Sequence, residues 1–104
     1  MMTARDWRYD AACGGLDDTD AWFPFGREGS PGFERLAALP RAICGTCPVR
    51  EKCLTWALQS GIDDGIWGGL DPVQRRALRH REAARKARRR ALRRKRIARA
   101  YEAA

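Results

Sequence analysis

Four cysteines are the residues of this chain best suited to chemistry: Cys13, Cys44, Cys47 and Cys53. Thiolates bind zinc ions or iron–sulfur clusters, so four of them in one short chain favour a metal site. Cys44 and Cys47 are close enough in sequence to bind one centre, and Cys53 lies near the start of a predicted helix whose N-terminal amides favour negative charge. Cys13 must fold back from a distant segment. Metal binding would therefore add its free energy to folding.

The spacing of the cysteines leaves several kinds of site open. Zinc sites usually contain two close pairs of cysteines, whereas this chain has one pair and two singles, and spacing alone does not separate zinc from an iron–sulfur cluster. Cys44-Gly45-Thr46-Cys47 also has the form of a redox dithiol, although no β-α-β pattern surrounds it. A structural disulfide is uncommon inside cells. The alternatives are thus a thiol-disulfide oxidoreductase using Cys44 and Cys47, and a zinc-stapled DNA-binding protein.

Charge divides the chain into two parts. The chain has 104 residues and a formal net charge of +8. Residues 1–70 carry 7 basic and 10 acidic side chains, a net charge of −3, whereas residues 71–104 carry 14 basic and 3 acidic ones, a net charge of +11. The length suits one domain. We therefore expect a cysteine-bearing body over 1–70 and a basic DNA-binding tail over 71–104.

Two dense basic clusters within the tail predict contact with nucleic acid. Like charges four residues apart destabilise a helix unless something neutralises them, and phosphates are the obvious neutralising groups. The predicted DNA-binding residues are Arg85, Lys86, Arg88, Arg89, Arg90, Arg93, Arg94, Lys95 and Arg96. A solvated helix face is the alternative interpretation. The chain has no Asn and only two Gln, so base readout is not evident, and Arg alone leaves the sequence specificity open.

The elements that must position these residues are predicted to be helices, because no strand-like alternation extends over five residues. Ser30 followed by Pro31 predicts a helix start, and Pro40 predicts a break or restart in that helix. Pro48 is expected to start the next helix, which Gly61 ends as a left-handed C-cap.

The last helix has the clearest start signal. Asp71 can cap it, Pro72 suits the first helical position and Gln74 completes a capping box. We expect this helix to be frayed beyond about Arg85 without a partner. The predicted fold is all-α: a small bundle of about four helices wrapped around the four cysteines, with a basic C-terminal helix.

Aromatic side chains occupy three different settings. Trp56 lies inside a predicted helix and is expected in the core. Trp22 and Phe23 lie in a polar loop, where they would cover a cluster or contact a partner, since such residues dominate interface energetics. Trp67 lies in the turn Gly65-Ile66-Trp67-Gly68-Gly69, whose glycines permit positive φ and close backbone approach.

Nothing in the sequence forms a catalytic set. Asp63 and Asp64 fit a turn, and His80, the only histidine, is expected on the surface. No run of 18 apolar residues or apolar N-terminal stretch is present. We therefore expect a cytoplasmic protein that is not an enzyme and does not bind membranes.

Several of these features together resemble the WhiB-like family of actinobacterial and phage transcriptional regulators. The resemblance covers most of residues 6–85, and it is carried by Asp6-Trp7-Arg8, Cys13, Trp22-Phe23-Pro24, Cys44-x2-Cys47-x5-Cys53, Trp56-Ala57-Leu58, the Gly65–Gly69 turn and the basic helix that follows. Family members are similar small helical proteins whose four cysteines hold a four-iron four-sulfur (4Fe-4S) cluster. Several bind the C-terminal, promoter-reading domain of the principal sigma factor within RNA polymerase.

The resemblance implies that the four cysteines are cluster ligands and that the glycine-rich turn lies beside the cluster. It also implies a set of residues that shield the cluster and meet the sigma domain: Trp7, Trp22, Phe23, Trp67, Gly68 and Gly69. The implied function is iron–sulfur-dependent transcription regulation, responsive to oxidants or nitric oxide, with the tail on adjacent double-stranded DNA. The chain departs from the family at Pro40, where many members have an unbroken helix, and it lacks an Arg-Gly-Arg-Pro type hook.

Overall fold

The computed structural model describes residues 6–15 and 19–104 of the chain. These residues form three α-helices, α1 (Pro31–Gly45), α2 (Arg50–Gln59) and α3 (Pro72–Ala103), preceded by two short 3-10 helices, Trp7–Asp10 and Thr19–Trp22. Within these ranges the only β feature is an isolated bridge between Trp67 and Leu70. The all-α prediction is confirmed, with three α-helices where about four were expected. None of the described helices is long and apolar enough to cross a membrane.

Helix α1 contributes most of the core. The side chain of Ser30 caps it by accepting a hydrogen bond from the Phe33 N–H at 3.3 Å. Its buried residues are Phe33, Ala37, Pro40 and Cys44, which recur at helical spacing and so share one face. Ile66 and the partly buried Trp22 pack against this face. Cys44 is therefore the last residue of the helix face that forms the core of the body.

The predicted break at Pro40 is wrong, because α1 continues through this residue to Gly45. A proline inside a helix leaves the carbonyl four residues earlier, here that of Leu36, without its usual donor. Leu36 lies on an exposed side of the helix, where water can supply a donor, and Pro40 is almost fully buried. Burial of the proline ring offsets the lost hydrogen bond, so the helix is uninterrupted.

Helix α2 begins at Arg50 rather than at Pro48 as predicted. The Arg50 N–H donates to the Cys47 carbonyl at 3.3 Å, so Pro48 belongs to a turn that precedes the helix. At the other end, Gly61 has a φ of 65°, as expected for a glycine C-cap. The turn places Cys47 just before α2, and Cys53 follows within the helix.

The first turn of α3 is fastened to α1. The Asp71 carboxylate accepts the Gln74 N–H at 2.8 Å, and the Gln74 side chain accepts the Asp71 N–H at 2.9 Å, which confirms the capping box. Arg41 of α1 donates to Asp71 at 2.9 Å and to Gln74 at 2.6 Å. These bonds fix the direction in which α3 leaves the body.

Beyond this anchored turn, α3 extends away from the rest of the chain. Its 32 residues make a helix about 48 Å long, and it continues to Ala103 instead of fraying beyond Arg85. Every residue from 81 to 104 is exposed, and we call this segment the basic arm. The radius of gyration is 19.2 Å, against about 13 Å for a compact chain of this length, because the arm projects from the body.

Candidate metal centre

All four cysteine side chains line a single cavity of about 290 Å³. Cys44 ends the buried face of α1, Cys47 lies in the turn before α2, and Cys53 lies in α2. Cys13 comes from the turn that follows the first 3-10 helix. All four are free thiols. The fold thus brings together residues that lie up to 40 positions apart in the sequence.

The surroundings of the thiols act on them in opposing ways. Burial raises the pKa of Cys13, and neighbouring cysteines raise it further. Burial also raises the pKa of Cys53, whereas a hydrogen bond from the Gly68 backbone lowers it. The Ala12 N–H donates to the Cys47 sulfur at 3.4 Å. A metal centre that binds Cys13 and Cys53 must displace their protons, and the backbone N–H groups of Gly68 and Ala12 are placed to stabilise sulfur ligands.

The cavity lined by the four thiols has room for a cluster of several atoms. Within residues 6–15 and 19–104, no three Cys, His, Asp or Glu side chains are placed to hold one metal ion. Zinc lies about 2.3 Å from each sulfur ligand, so a zinc site needs thiols that converge on one point. The cavity of about 290 Å³ far exceeds the roughly 10–15 Å³ that one water needs. The donor set and the space both suit an iron–sulfur cluster.

Most of the predicted partner-binding residues lie around the same cavity. Five of the six line it: Trp7, Trp22, Phe23, Trp67 and Gly68. The sixth, Gly69, adjoins it, since a Cβ placed there would lie 3.6 Å from the Cβ of Cys44. Phe23 is 44% exposed, and the three tryptophans are partly buried. The structure therefore puts the aromatic residues and the thiols in one site.

Three tryptophans connect the N-terminal segment to the glycine-rich turn. The ring of Trp56 lies 6.3 Å from that of Trp7 and 5.2 Å from that of Trp67. The Arg8 guanidinium lies 4.6 Å from the Trp7 ring and 4.7 Å from the Trp56 ring, within cation–π range. The prediction that Trp56 is a core residue is wrong: it is only partly buried, and its ring lies between those of Trp7 and Trp67.

The turn Gly65–Gly69, which we call the glycine turn, needs glycine for steric as well as conformational reasons. Gly68 has a φ of 59°, and a Cβ there would lie 2.6 Å from the Leu54 Cβ and 2.9 Å from the Arg50 carbonyl oxygen. Gly65 has a φ of 74°, and a Cβ there would lie 2.6 Å from the Phe23 ring. The turn therefore packs its backbone directly against α2 and the aromatic loop.

Arg75, which the sequence did not single out, holds the glycine turn in place. It is 1% exposed, and burial lowers its pKa. Its guanidinium donates at 2.7–3.1 Å to four backbone carbonyls, those of Ile62, Asp64, Gly65 and Leu70. No local signal separates Arg75 from the other arginines of α3, because all four acceptors come from the preceding loop.

Arg50 is a second residue that sequence reasoning missed. It lines the cavity, and its Nε donates to the Gly68 carbonyl at 3.1 Å. The sequence does contain a signal for Arg50. It precedes Cys53 by three positions and so shares its helix face. Arg50 brings a positive charge to the wall of a site built from thiols.

The nine predicted DNA-binding residues are all exposed along the basic arm. In the described part of the chain, no hydrogen bond or ion pair joins their side chains to the body. His80 is exposed, and Asp63 and Asp64 lie in the loop before the glycine turn, as expected. The structure thus separates the cysteine site from the main positive charge.

Comparison with known proteins connects this arrangement with transcription regulation. A family model described as "Transcription factor WhiB" matches residues 7–78. The transcriptional regulator WhiB1 of Mycobacterium tuberculosis is 43% identical over 83 residues, which cover 80% of this chain and 95% of the relative. WhiB1 of Bifidobacterium longum is 41% identical over 81 residues, covering 78% and 85%. The redox-responsive transcriptional regulator WhiB3 of Mycolicibacterium smegmatis is 34% identical over 82 residues, covering 79% and 84%.

The family match includes all four cysteines, the glycine turn and Arg75, whereas the basic arm lies beyond residue 78, where the match ends. The cysteine cavity thus lies within the part of the chain that the family model matches.

Proposed function

Because the chain belongs to the WhiB family of transcriptional regulators, and is not an enzyme, we propose that it acts through a 4Fe-4S cluster held by Cys13, Cys44, Cys47 and Cys53. The observation that carries this proposal is the convergence of all four thiols on one cavity of about 290 Å³. A relative with 34% identity that is named as redox-responsive supports a sensing role.

A cluster bound in this cavity supplies a centre that reacts with oxidants or nitric oxide. As a cluster ligand, Cys13 would tie the N-terminal segment to α1 and α2, and Trp7 lies six residues before it. Release of Cys13 would therefore loosen the contact between the rings of Trp7 and Trp56. Loss of the cluster is thereby coupled to a change in the aromatic surface around it.

The body over 1–70 binds the C-terminal, promoter-reading domain of the principal sigma factor through its aromatic residues. Partly exposed Trp and Phe side chains around one cavity form the kind of surface that anchors a protein interface. The tail over 71–104 binds double-stranded DNA next to the sigma factor. This division of roles suits a chain with no Asn and only two Gln, because the partner supplies much of the promoter specificity. The protein acts in the cytoplasm, where the polymerase and DNA are.

Anaerobic purification of the full chain tests the cluster. We expect a brown protein with broad absorbance near about 400 nm and about four irons per chain, both lost in the Cys13→Ala variant. A colourless protein that holds zinc would overturn the proposal in favour of the zinc-stapled alternative. Insulin reduction that persists in Cys13→Ala but disappears in Cys47→Ala would instead identify a thiol-disulfide oxidoreductase.

A further inference from the structure

We propose that the basic arm, residues 81–104, binds duplex DNA as an intact α-helix lying in the major groove. This inference rests on the proposed function, because it specifies how the DNA contact assigned there to the tail is made.

The charge of the arm is not neutralised within the protein. The arm carries 11 basic and 2 acidic side chains, and all its residues are exposed. Arg85, Arg89 and Arg93 follow one another at four-residue intervals, which places like charges side by side on the helix. Glu82, four residues before Lys86, offers one of the few compensating pairs. Closely spaced anions from outside the protein, such as DNA phosphates, would remove this repulsion.

The arm is built to remain helical when it binds. No Gly or Pro occurs between residues 73 and 104, and most positions are Ala, Arg, Leu or Lys, which have high helix propensity. The costly first turn is already formed, because the Asp71 capping box and the Arg75 hydrogen bonds fix it to the body. Phosphate contacts would therefore stabilise the existing helix rather than an extended chain.

The width of an α-helix fits the major groove of DNA but not the minor groove. An α-helix with its side chains is about 10–12 Å wide, the major groove of B-form DNA about 12 Å and the minor groove about 6 Å. Basic side chains project from most of the circumference, so the phosphates on both walls of the groove lie within reach. Ala84, Ala87, Ala91 and Ala98 share one side at helical spacing, where the backbone can approach the base edges without long side chains between them.

A proline variant tests whether the arm binds as a helix. Ala91→Pro breaks the helix in the middle of the arm, whereas Ala103→Pro, at its last residue, is the matched control, and both variants keep every charge. Fluorescence anisotropy on a DNA duplex of about 20 base pairs, with the cluster-loaded full chain at one salt concentration, gives the affinities. We expect Ala91→Pro to bind at least about tenfold more weakly and Ala103→Pro to bind within about twofold of the natural sequence.

Cluster absorbance should be equal in both variants, because residue 91 is exposed and remote from the cysteines. Equal DNA affinity of Ala91→Pro and the natural sequence would overturn the inference, since the arm would then bind as an unstructured polycation. The proposed DNA role would still stand in that case. Absence of salt-dependent DNA binding by the natural sequence would overturn both.

Chemical footprinting identifies the groove directly. Dimethyl sulfate methylates guanine N7, in the major groove, and adenine N3, in the minor groove. We expect the bound protein to protect guanine N7 and to leave adenine N3 reactive, and the opposite pattern would contradict a major-groove helix. An RNA duplex of the same sequence should bind at least about tenfold more weakly, because its major groove is too narrow for side chains to read. Equal affinity for RNA would also overturn the inference.

Discussion

At the scale of single residues, Gly68 has no room for a side chain. Its φ of 59° disfavours other residues, and a Cβ would lie 2.6 Å from Leu54. We expect Gly68→Ala to lower the free energy of unfolding by about 1–3 kcal/mol and to speed loss of the cluster, measured by anaerobic urea denaturation. The matched control is Gly32→Ala in α1, where no atom lies within 4 Å of the added Cβ. Equal stability of the two variants would contradict this assignment.

Trp67 is the residue at which the proposed sigma contact is most directly tested. Its ring lies 5.2 Å from that of Trp56, and its indole N–H donates to the Asp64 carbonyl at 3.1 Å. We expect Trp67→Ala to weaken binding of the sigma domain by about 1–4 kcal/mol, as for an interface anchor, measured by calorimetric titration. Tyr101→Ala removes an exposed aromatic side chain from the far end of α3 and should leave binding unchanged. Undiminished sigma binding by a cluster-loaded Trp67→Ala protein would remove Trp67 from the interface.

At the scale of elements, Arg75 joins α3 to the glycine turn. A lysine ammonium cannot reproduce the planar fork that donates to four carbonyls, so Arg75→Lys leaves buried acceptors without donors. We expect a loss of about 3 kcal/mol or more in the free energy of unfolding, and hence a fall of at least about 10 °C in Tm. Arg76→Lys, at the exposed neighbouring position, should have almost no effect. A common Tm for the two variants would show that the clamp contributes little to stability.

Truncation tests whether the two ends of α3 have different roles. A chain truncated after Arg79 keeps Arg75 and also Arg79 itself, which donates to the Leu58 carbonyl at 3.4 Å. We expect this chain to retain its cluster and lose its DNA affinity. For the full chain, the logarithm of affinity should fall against the logarithm of salt concentration with a slope of about −5 for about six phosphate contacts. A chain truncated after Tyr101 serves as the control, and equal shifts of promoter DNA by both truncations would make the arm only a solubility device.

Helix ends were predictable from the sequence because their signals are local. The caps at Ser30, Gly61 and Asp71 depend on residues within four positions of each helix end, and the structure confirms all three. The unbroken helix at Pro40 was not predictable in this way, because the helix tolerates the proline only through burial against other elements. Arg75 was missed for the same reason, since its partners lie in a loop rather than on its own helix.

The site was predictable in part for a comparable reason. The spacing of the cysteines pointed to a metal centre but left zinc and an iron–sulfur cluster open. The tertiary structure adds that all four thiols line one cavity of about 290 Å³. The family resemblance implied that Cys13 is also a cluster ligand. Its place in the site was hard to infer from spacing, because Cys13 lies far from the other cysteines in the sequence.

At the scale of the whole molecule, the described core is small, so the proposed cluster would contribute a large share of the stability. Besides Pro40 and Pro72, the buried apolar side chains of the described residues are Phe33, Ala37, Cys44, Val49, Ala57 and Ile66. We expect removal of the cluster to lower Tm and to expose the segment before Cys13, detected as faster tryptic cleavage after Arg8. Cleavage within the basic arm should be equal in both forms, because the arm is already exposed. Unchanged cleavage after Arg8 would mean that the core holds this segment without the cluster.

The anchored first turn of α3 has a consequence for promoter architecture. No Gly or Pro follows Pro72, so the helix leaves the body without a hinge, and Arg41 and Arg75 set its direction. The body bound to a sigma factor would then present the arm to one side of the double helix only. The same side of B-form DNA recurs about every 10–10.5 base pairs. The protein would then distinguish promoters by the rotational position of the groove relative to the sigma-factor site. Moving the groove site along the DNA by half a helical turn would turn it away from the arm, and moving it by a full turn would bring it back.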